Sequence, residues 1–338
     1  MKRHKILATC ALGTITLGFL SACSGGSPEQ YALKSTLFEG VNYVGISVSD
    51  MDAAIAFYQK PADLQLVDDG IEDGVETQIL RSVNAQIRLM KFPEPTDVAV
   101  TPVQGPGIAH LCVQAAKSTD AYGKFLDNGG TIIGDPEMVT LNPRNPVQYA
   151  YVEDSDGNIV EVEHVDVAAL ELPAPPKNAH RIRHVALATP DIERLTDFYS
   201  ELLDEPSPRR IGRLRPFGGE NIDKVSGLPG SELKMSWFQI RNLELEIAQY
   251  FSHPTELPNP PRSVDSIGFN MIVFDVNDLA AAEAKFVAAG GTLETLDPSL
   301  DDDTIFFGRD PDGNLLGFQD VSDASVFSSQ NFANNGAE

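Results

Sequence analysis

Cysteine is scarce in this chain, with three in 338 residues, at positions 10, 23 and 112. Thiols so few and so far apart exclude a disulfide framework and leave stability to a packed core. Positive charge is scarce as well. The chain has 25 Lys and Arg against 49 Asp and Glu, a formal charge of −24, so its surface repels phosphate backbones and nucleic acid is excluded as a partner. The apolar run from Ile6 to Leu20 is too short to span a bilayer comfortably. What the chain does have is 42% hydrophobic residues and 8% aromatics, enough for two domains with cores of their own.

The N-terminus reads as a secretory leader: Lys2, Arg3 and Lys5, then the apolar run, then Leu20-Ser21-Ala22-Cys23. This end resembles a bacterial lipobox. The resemblance implies that residues 1–23 form a signal peptide, that Cys23 becomes a lipidated membrane anchor, and that residues 24–37 form a flexible tether. Ser24, in place of an Asp after the lipidated residue, implies the outer membrane of a bacterial envelope, facing the periplasm. Loss of the leader removes Cys10 and three basic residues, which leaves Cys112 as the one free thiol and the chain more acidic still.

The rest of the chain repeats itself. YVGISVSD (Tyr43 to Asp50) returns as HVALATPD (His184 to Asp191), and Phe57-Tyr58 returns as Phe198-Tyr199, at a constant offset of 141 residues. In the same way NGGT ending at Thr131 returns as AGGT ending at Thr292, and DSDGN (Asp154 to Asn158) as DPDGN (Asp310 to Asn314). Repetition of this kind fixes an architecture of stacked units. Each unit opens with a β-branched strand and a helix that an Asp can cap, and each closes on alternating strands. The expected elements are a strand at 41–48 with a helix from Met51 and strands at 77–82 and 85–92; a strand at 108–115 with a helix at 120–128 and a closing hairpin at 148–165; a strand and helix within 181–200 closing at 242–251; and a strand and helix within 267–291 closing at 313–321. The expected domains are residues 38–167 and 180–322, two units each, joined by a Pro-rich linker at 168–179 and followed by a loose polar tail at 323–338.

HVALATPD with FYSELL, GLPGSELKMSWFQIRNLELEIAQY, GIAHLCV and DGNIVEVEHV resemble the vicinal oxygen chelate superfamily, which includes glyoxalase I, epimerases, bleomycin-resistance proteins and extradiol dioxygenases. The resemblance implies an α+β fold of four βαβββ modules curled pairwise into two open barrels. It also implies that metal ligands come from the first and last strand of a module. The first strands then offer Tyr43, His110, His184 and Met271, and the last strands Arg88, Glu161, Glu246 and Gly317. Two imidazoles and two carboxylates suit one divalent ion (Ni, Co, Mn, Zn or Fe), whereas Tyr43, Met271 and Gly317 do not replace them and Arg88 repels a cation. Sequence neighbours paired together would give each barrel one His and one Glu. If the second module pairs with the third and the first with the fourth, an arrangement known in glyoxalase-like relatives, one barrel collects His110, Glu161, His184 and Glu246 and the other is bare. Glu163 and Glu244, two residues away on their strands, compete for the carboxylate role, and alignment of the turns favours Glu161 and Glu246. A lone strand histidine is ordinarily a core residue, but four coincident donors are harder to assign to the core.

Four protein ligands leave two sites of a six-coordinate ion for adjacent oxygens of a small-molecule substrate. The resemblance thus implies a metal-dependent glyoxalase- or epimerase-like enzyme, an isomerase or lyase. It would act on an α-hydroxy carbonyl compound through a metal-stabilised enediolate, with Glu161 or Glu246 moving the proton. Glutathione, mainly a cytosolic thiol, suits an exported chain poorly as part of the substrate. Arg209, Arg210, Arg213, Arg215 and Lys224 either steer an anionic substrate or are solvated loop charges. Residues 142–146 either cover the site or simply connect strands. Three other readings stay open: a non-haem iron dioxygenase using His110, His184 and Glu161; a non-catalytic binding protein resembling bleomycin-resistance proteins; and a lipid-anchored scaffold.

Overall fold

A computed structural model describes residues 35–337 except 73, 173–174, 297–303, 322–326 and 333. The expected leader, with Cys23, and most of the tether lie outside the described residues. No helix among the described residues is long and apolar enough to cross a membrane.

The first module runs β1 (Phe38–Ser47), α1 (Met51–Tyr58), β2 (Gln65–Glu72), β3 (Val75–Arg81) and β4 (Gln86–Lys91), and the second runs β5 (Gly107–Ala116), α2 (Ala121–Asp127), β6 (Thr131–Ile133), β7 (Val147–Glu153) and β8 (Ile159–Val165). The third adds a short helix: β9 (His180–Ala188), α3 (Ile192–Leu202), β10 (Arg209–Ile211), β11 (Phe217–Gly218), α4 (Glu220–Ser226), β12 (Glu232–Ile240) and β13 (Leu243–Tyr250). The fourth has β14 (Gly268–Val276), α5 (Leu279–Ala289), β15 (Thr292–Glu294), β16 (Ile305–Arg309) and β17 (Leu315–Asp320). In three modules the Asp after the first strand caps the helix, as its motif predicts. Asp50 accepts from the Ala53 amide at 3.1 Å, Asp191 from Arg194 at 3.1 Å and Asp278 from Ala281 at 2.9 Å.

The strands form two open mixed sheets. One has the order β15-β16-β17-β14-β1-β4-β3-β2 and the other β10-β12-β13-β9-β5-β8-β7-β6, with β11 alongside β12. The first module therefore shares a sheet with the fourth, and the second with the third, the exchanged pairing expected from where the metal donors fall. Each sheet is joined at its middle by two antiparallel first strands, β1 with β14 and β5 with β9.

Helices cover the outer faces of the sheets and bury one continuous apolar core. Phe57 of α1 meets Phe125 of α2 at 5.0 Å between ring centroids, and Phe198 of α3 meets Phe286 of α5 at 5.9 Å. The repeated Gly-Gly now has a reason. Gly290 ends α5 at φ +107°, and a Cβ on Gly291 would lie 2.3 Å from the Phe286 ring.

The tail differs from expectation. Ser329 and Phe332 are buried, the Ser329 amide donates to Asp275 at 2.5 Å, and Arg241 donates to the carbonyls of Ser329 and Phe332 at 3.1 and 3.3 Å. Phe332 supplies the apolar anchor that the tail's polar composition hid.

Candidate metal centre

A β-bulge precedes each of the four first-strand positions singled out in the sequence. Opposite β5 and β9, Ala109 and Arg183 are extra residues, immediately before His110 and His184; in the other sheet Asn42 and Asn270 are extra, immediately before Tyr43 and Met271. A bulge re-aims the next side chain. The last-strand positions fall in one register throughout. Glu161 pairs with Cys112, Glu246 with Ala186, Arg88 with Gly45 and Gly317 with Val273, each partner lying two residues past the first-strand position. The four modules thus aim these positions alike, and the two sheets differ in what they hold there.

In the sheet of the second and third modules, four buried donor groups converge. His110 Nε2 lies 3.1 Å from His184 Nε2, and Glu161 Oε2 is 3.0 Å from His184 and 3.8 Å from His110. Glu246 stands 3.9 Å from His110 through Oε1 and 3.7 Å from His184 through Oε2. Bonds of about 2.1 Å to a central ion put neighbouring donors about 3 Å apart, with wider pairs beyond, so this spread suits one cation. Burial holds both imidazoles neutral, His110 well below its usual pKa and His184 also lowered, so their lone pairs are free. Burial raises both carboxyls, Glu161 to about 7. A divalent ion would reinforce the neutral state of the two imidazoles and reverse the upward shift of the two carboxyls.

The surrounding shell is asymmetric. Across the strand from Glu246, the Trp237 indole N–H donates to its Oε2 at 2.6 Å, whereas the corresponding neighbour of Glu161 is Tyr151. Among the described residues neither His Nδ1 has an acceptor, so ring orientation is set by packing, with Tyr151 5.1 Å from the His110 ring. The competing carboxylates are occupied elsewhere. Arg183, brought round by its bulge, pairs with Glu163 and also with Glu244 at 3.3 Å, while Gln114 donates to Glu163 at 2.5 Å.

Three of the five cations of that cluster are paired, Arg209 with Glu244 at 3.0 Å, Arg210 with Glu193 at 2.8 Å and Lys224 with Glu220 at 2.8 Å. Arg209 also stacks on Trp237, 4.0 Å from the ring centroid. Sequence reasoning missed Trp237, Arg183 and Tyr151. For Trp237 a signal existed, its place directly across the hairpin from Glu246. An apolar cluster adjoins the donors through Tyr151, the cross-strand neighbour of Glu161: Val103, Tyr151, Leu233 and Tyr250 are buried in it, with Val225 of α4, and Leu141, next to the 142–146 loop, packs against it.

In the other sheet the equivalent place is filled. Tyr43, Met271, Phe307 and Leu315 pack together, and Phe307 occupies the space that a side chain at Gly317 would need, its ring 2.8 Å from where a Cβ would stand.

A family profile described as Glyoxalase/Bleomycin resistance protein/Dioxygenase superfamily matches residues 40–162 and 181–318. Among solved structures, a point mutant of glyoxalase I from Zea mays superposes with a TM-score of 0.63 at 16% identity, covering 88% of this chain and 98% of that one. Glyoxalase I from Zea mays superposes with a TM-score of 0.61 at 16% identity, covering 84% and 93%. At such identity the likeness speaks for the fold alone. No curated protein sequence matches.

Proposed function

The chain belongs to the glyoxalase/bleomycin resistance protein/dioxygenase superfamily, and on that premise we propose a metal-dependent isomerase or lyase acting on a small substrate with adjacent oxygens, of the α-hydroxy carbonyl type. The observation that carries this reading is the convergence of His110, Glu161, His184 and Glu246, all buried and within 3.9 Å of one or both imidazole nitrogens. These four would hold the ion. A divalent ion held there would supply Lewis acidity to the substrate's two oxygens, which acidifies the C–H on the carbon next to the carbonyl.

Glu161 is the better proton carrier of the two carboxylates. Its pKa, raised by burial to about 7, lies where a general base works best, while Glu246 is held by the Trp237 indole. The apolar wall around Tyr151 and Tyr250 excludes water and favours proton return to the substrate over exchange with solvent. Export to the envelope on a lipid at Cys23 belongs to the same proposal. A radiolabelled fatty acid should enter the wild-type chain and not C23S.

The test is elemental analysis of the chain lacking residues 1–23. We expect about one divalent ion per chain, with more than tenfold weaker retention in H110A, E161A, H184A and E246A and full retention in Y43F and M271L. Metal-free wild type, or variants that hold metal as well as it does, would reject the reading.

A second reading is favoured by one detail. With one Glu246 oxygen engaged by Trp237, the group drawn within 4.8 Å of one another is His110, His184 and Glu161, two imidazoles and one carboxylate as in non-haem iron oxygenases. Oxygen uptake that depends on ferrous iron would choose that reading.

A further inference from the structure

One row of side chains crosses three strands of the third module, from the edge of the sheet to the four converging donors. Arg209 of β10 is the register partner of Trp237 of β12, and Trp237 is that of Glu246 of β13. The matching row of the second module is Ile133, Tyr151 and Glu161, with an aliphatic side chain at its edge. The cation at the edge therefore belongs to one module and is not a requirement of the fold.

The Arg209 guanidinium lies 4.0 Å from the centroid of the Trp237 ring, and its Nη2 donates to Glu244 Oε1 at 3.0 Å. Glu244 is itself held by Arg183 at 3.3 Å, so the guanidinium is fastened to a fixed carboxylate. Trp237 is 7% exposed and the Arg209 side chain 38%, which puts the cation on the solvent side of a buried ring. The indole N–H donates to Glu246 Oε2 at 2.6 Å, and Glu246 Oε1 faces His110 at 3.9 Å. A planar, rigid guanidinium tied at once to a ring face and to a carboxylate has one place to sit, and it leaves the indole one orientation.

We propose that Arg209 is a positioning residue of the candidate metal centre: it touches neither ion nor substrate, and it holds the Trp237 indole where its N–H commits one oxygen of Glu246. The effect on affinity rests on the metal reading of the preceding subsection. Charge alone would act in the opposite direction, because a guanidinium this close to a bound cation repels it and its removal should tighten binding. Loss of a positioning contact should loosen it, as the loss of groups that orient metal ligands does. The sign of the change thus separates the two roles.

Two measurements on the whole chain test this: Zn2+ binding against a competing chelator, and time-resolved fluorescence anisotropy of Trp237, the single tryptophan, in the metal-free protein. R209A should bind Zn2+ about tenfold more weakly than wild type, and its tryptophan should gain a fast local motion. R209K, which keeps the charge and loses the planar stack, should fall between. R210A, whose side chain pairs with Glu193 of α3, should match wild type in both. In a W237F background R209A should change Zn2+ binding no further, since its effect runs through the indole. The proposal falls if R209A binds Zn2+ as tightly as wild type or more tightly, if it weakens binding as much without the indole as with it, or if Trp237 is as rigid in R209A as in wild type. A wild-type chain that takes up no Zn2+ rejects the metal reading instead, and the anisotropy comparison then decides whether Arg209 holds the indole. Should R209A fail to fold, R209K in the same measurements still decides.

Discussion

Trp237 is the single tryptophan of the chain, and its indole N–H is spent on Glu246. That bond favours the ionised carboxylate, against the burial that disfavours it. On the proposed metal reading, metal and protons compete for the same oxygens, and the signs follow. Glu161, with a pKa of about 7, is ionised above that value and protonated below it; metal affinity should be flat with respect to this group above about pH 7 and fall about tenfold per pH unit below. Loss of the indole donor in W237F raises the Glu246 pKa further, so metal affinity should fall more steeply on acidification than in the wild type. Chelator competition between pH 5.5 and 8.5 measures both, and superimposable curves for wild type and W237F would sink the assignment to Glu246. The four donors were legible because the repeat places them at matching offsets. Alignment of the turns favoured Glu161 over Glu163, but the physical reason was not legible, because it is a bulge that turns Arg183 toward Glu163 and Glu244, and a bulge is set by the pairing of two distant strands.

At the scale of elements, two repeats noticed separately in the sequence turn out to be one device. The Tyr58 hydroxyl of α1 donates to Asp154 in the β7–β8 turn at 3.0 Å, and the Tyr199 hydroxyl of α3 donates to Asp310 in the β16–β17 turn at 3.0 Å. Each Asp also ties its own turn, Asp154 through Asn158 and Asp310 through Asn314. The Phe-Tyr pair of one module thus fastens the D-x-D-G-N turn of the next, which sits in the other sheet. Y58F and Y199F should each cost about 1–2 kcal/mol in urea unfolding, with near-additive effects in the double variant because the two pairs share no partner. Strong non-additivity, or no effect, would argue against the stitch. Elements missed in the sequence are those with little to bury. Strand β2 is an edge with Leu66, Val67 and Ile71 exposed, a register shift at Val67 and acidic Asp68 and Asp69, so it shows no alternation. Helix α4 buries only Val225 and Ser226 of its seven residues and is too short for a period to show.

At the scale of the whole molecule, the order of modules along the chain and the order in space disagree, and that disagreement makes the site. β5 and β9, which carry His110 and His184, come from opposite sides of the Pro-rich linker and pair antiparallel; β1 and β14 do the same in the other sheet. The pairing could be anticipated only by asking where four metal donors would be useful together, since each half has a matching set of strand ends and local propensity does not distinguish partners. Reciprocal asparagines lock the two sheets. Asn84 donates to and accepts from Ile182, two residues before His184, and Asn242 does the same with Val41, two residues before Tyr43. Breaking the backbone within residues 168–179 should therefore leave the fold standing. Both sheets cross the cut, and each fragment alone would leave β1 and β5, or β9 and β14, without their central partners. With a protease site introduced in that linker, the cleaved fragments should co-elute in gel filtration under native conditions and keep their metal, and they should separate only in denaturant. Fragments that part on dilution, or a cleaved protein that loses its ion while each half stays folded, would mean that each half is self-sufficient and that the exchanged pairing does not hold in solution.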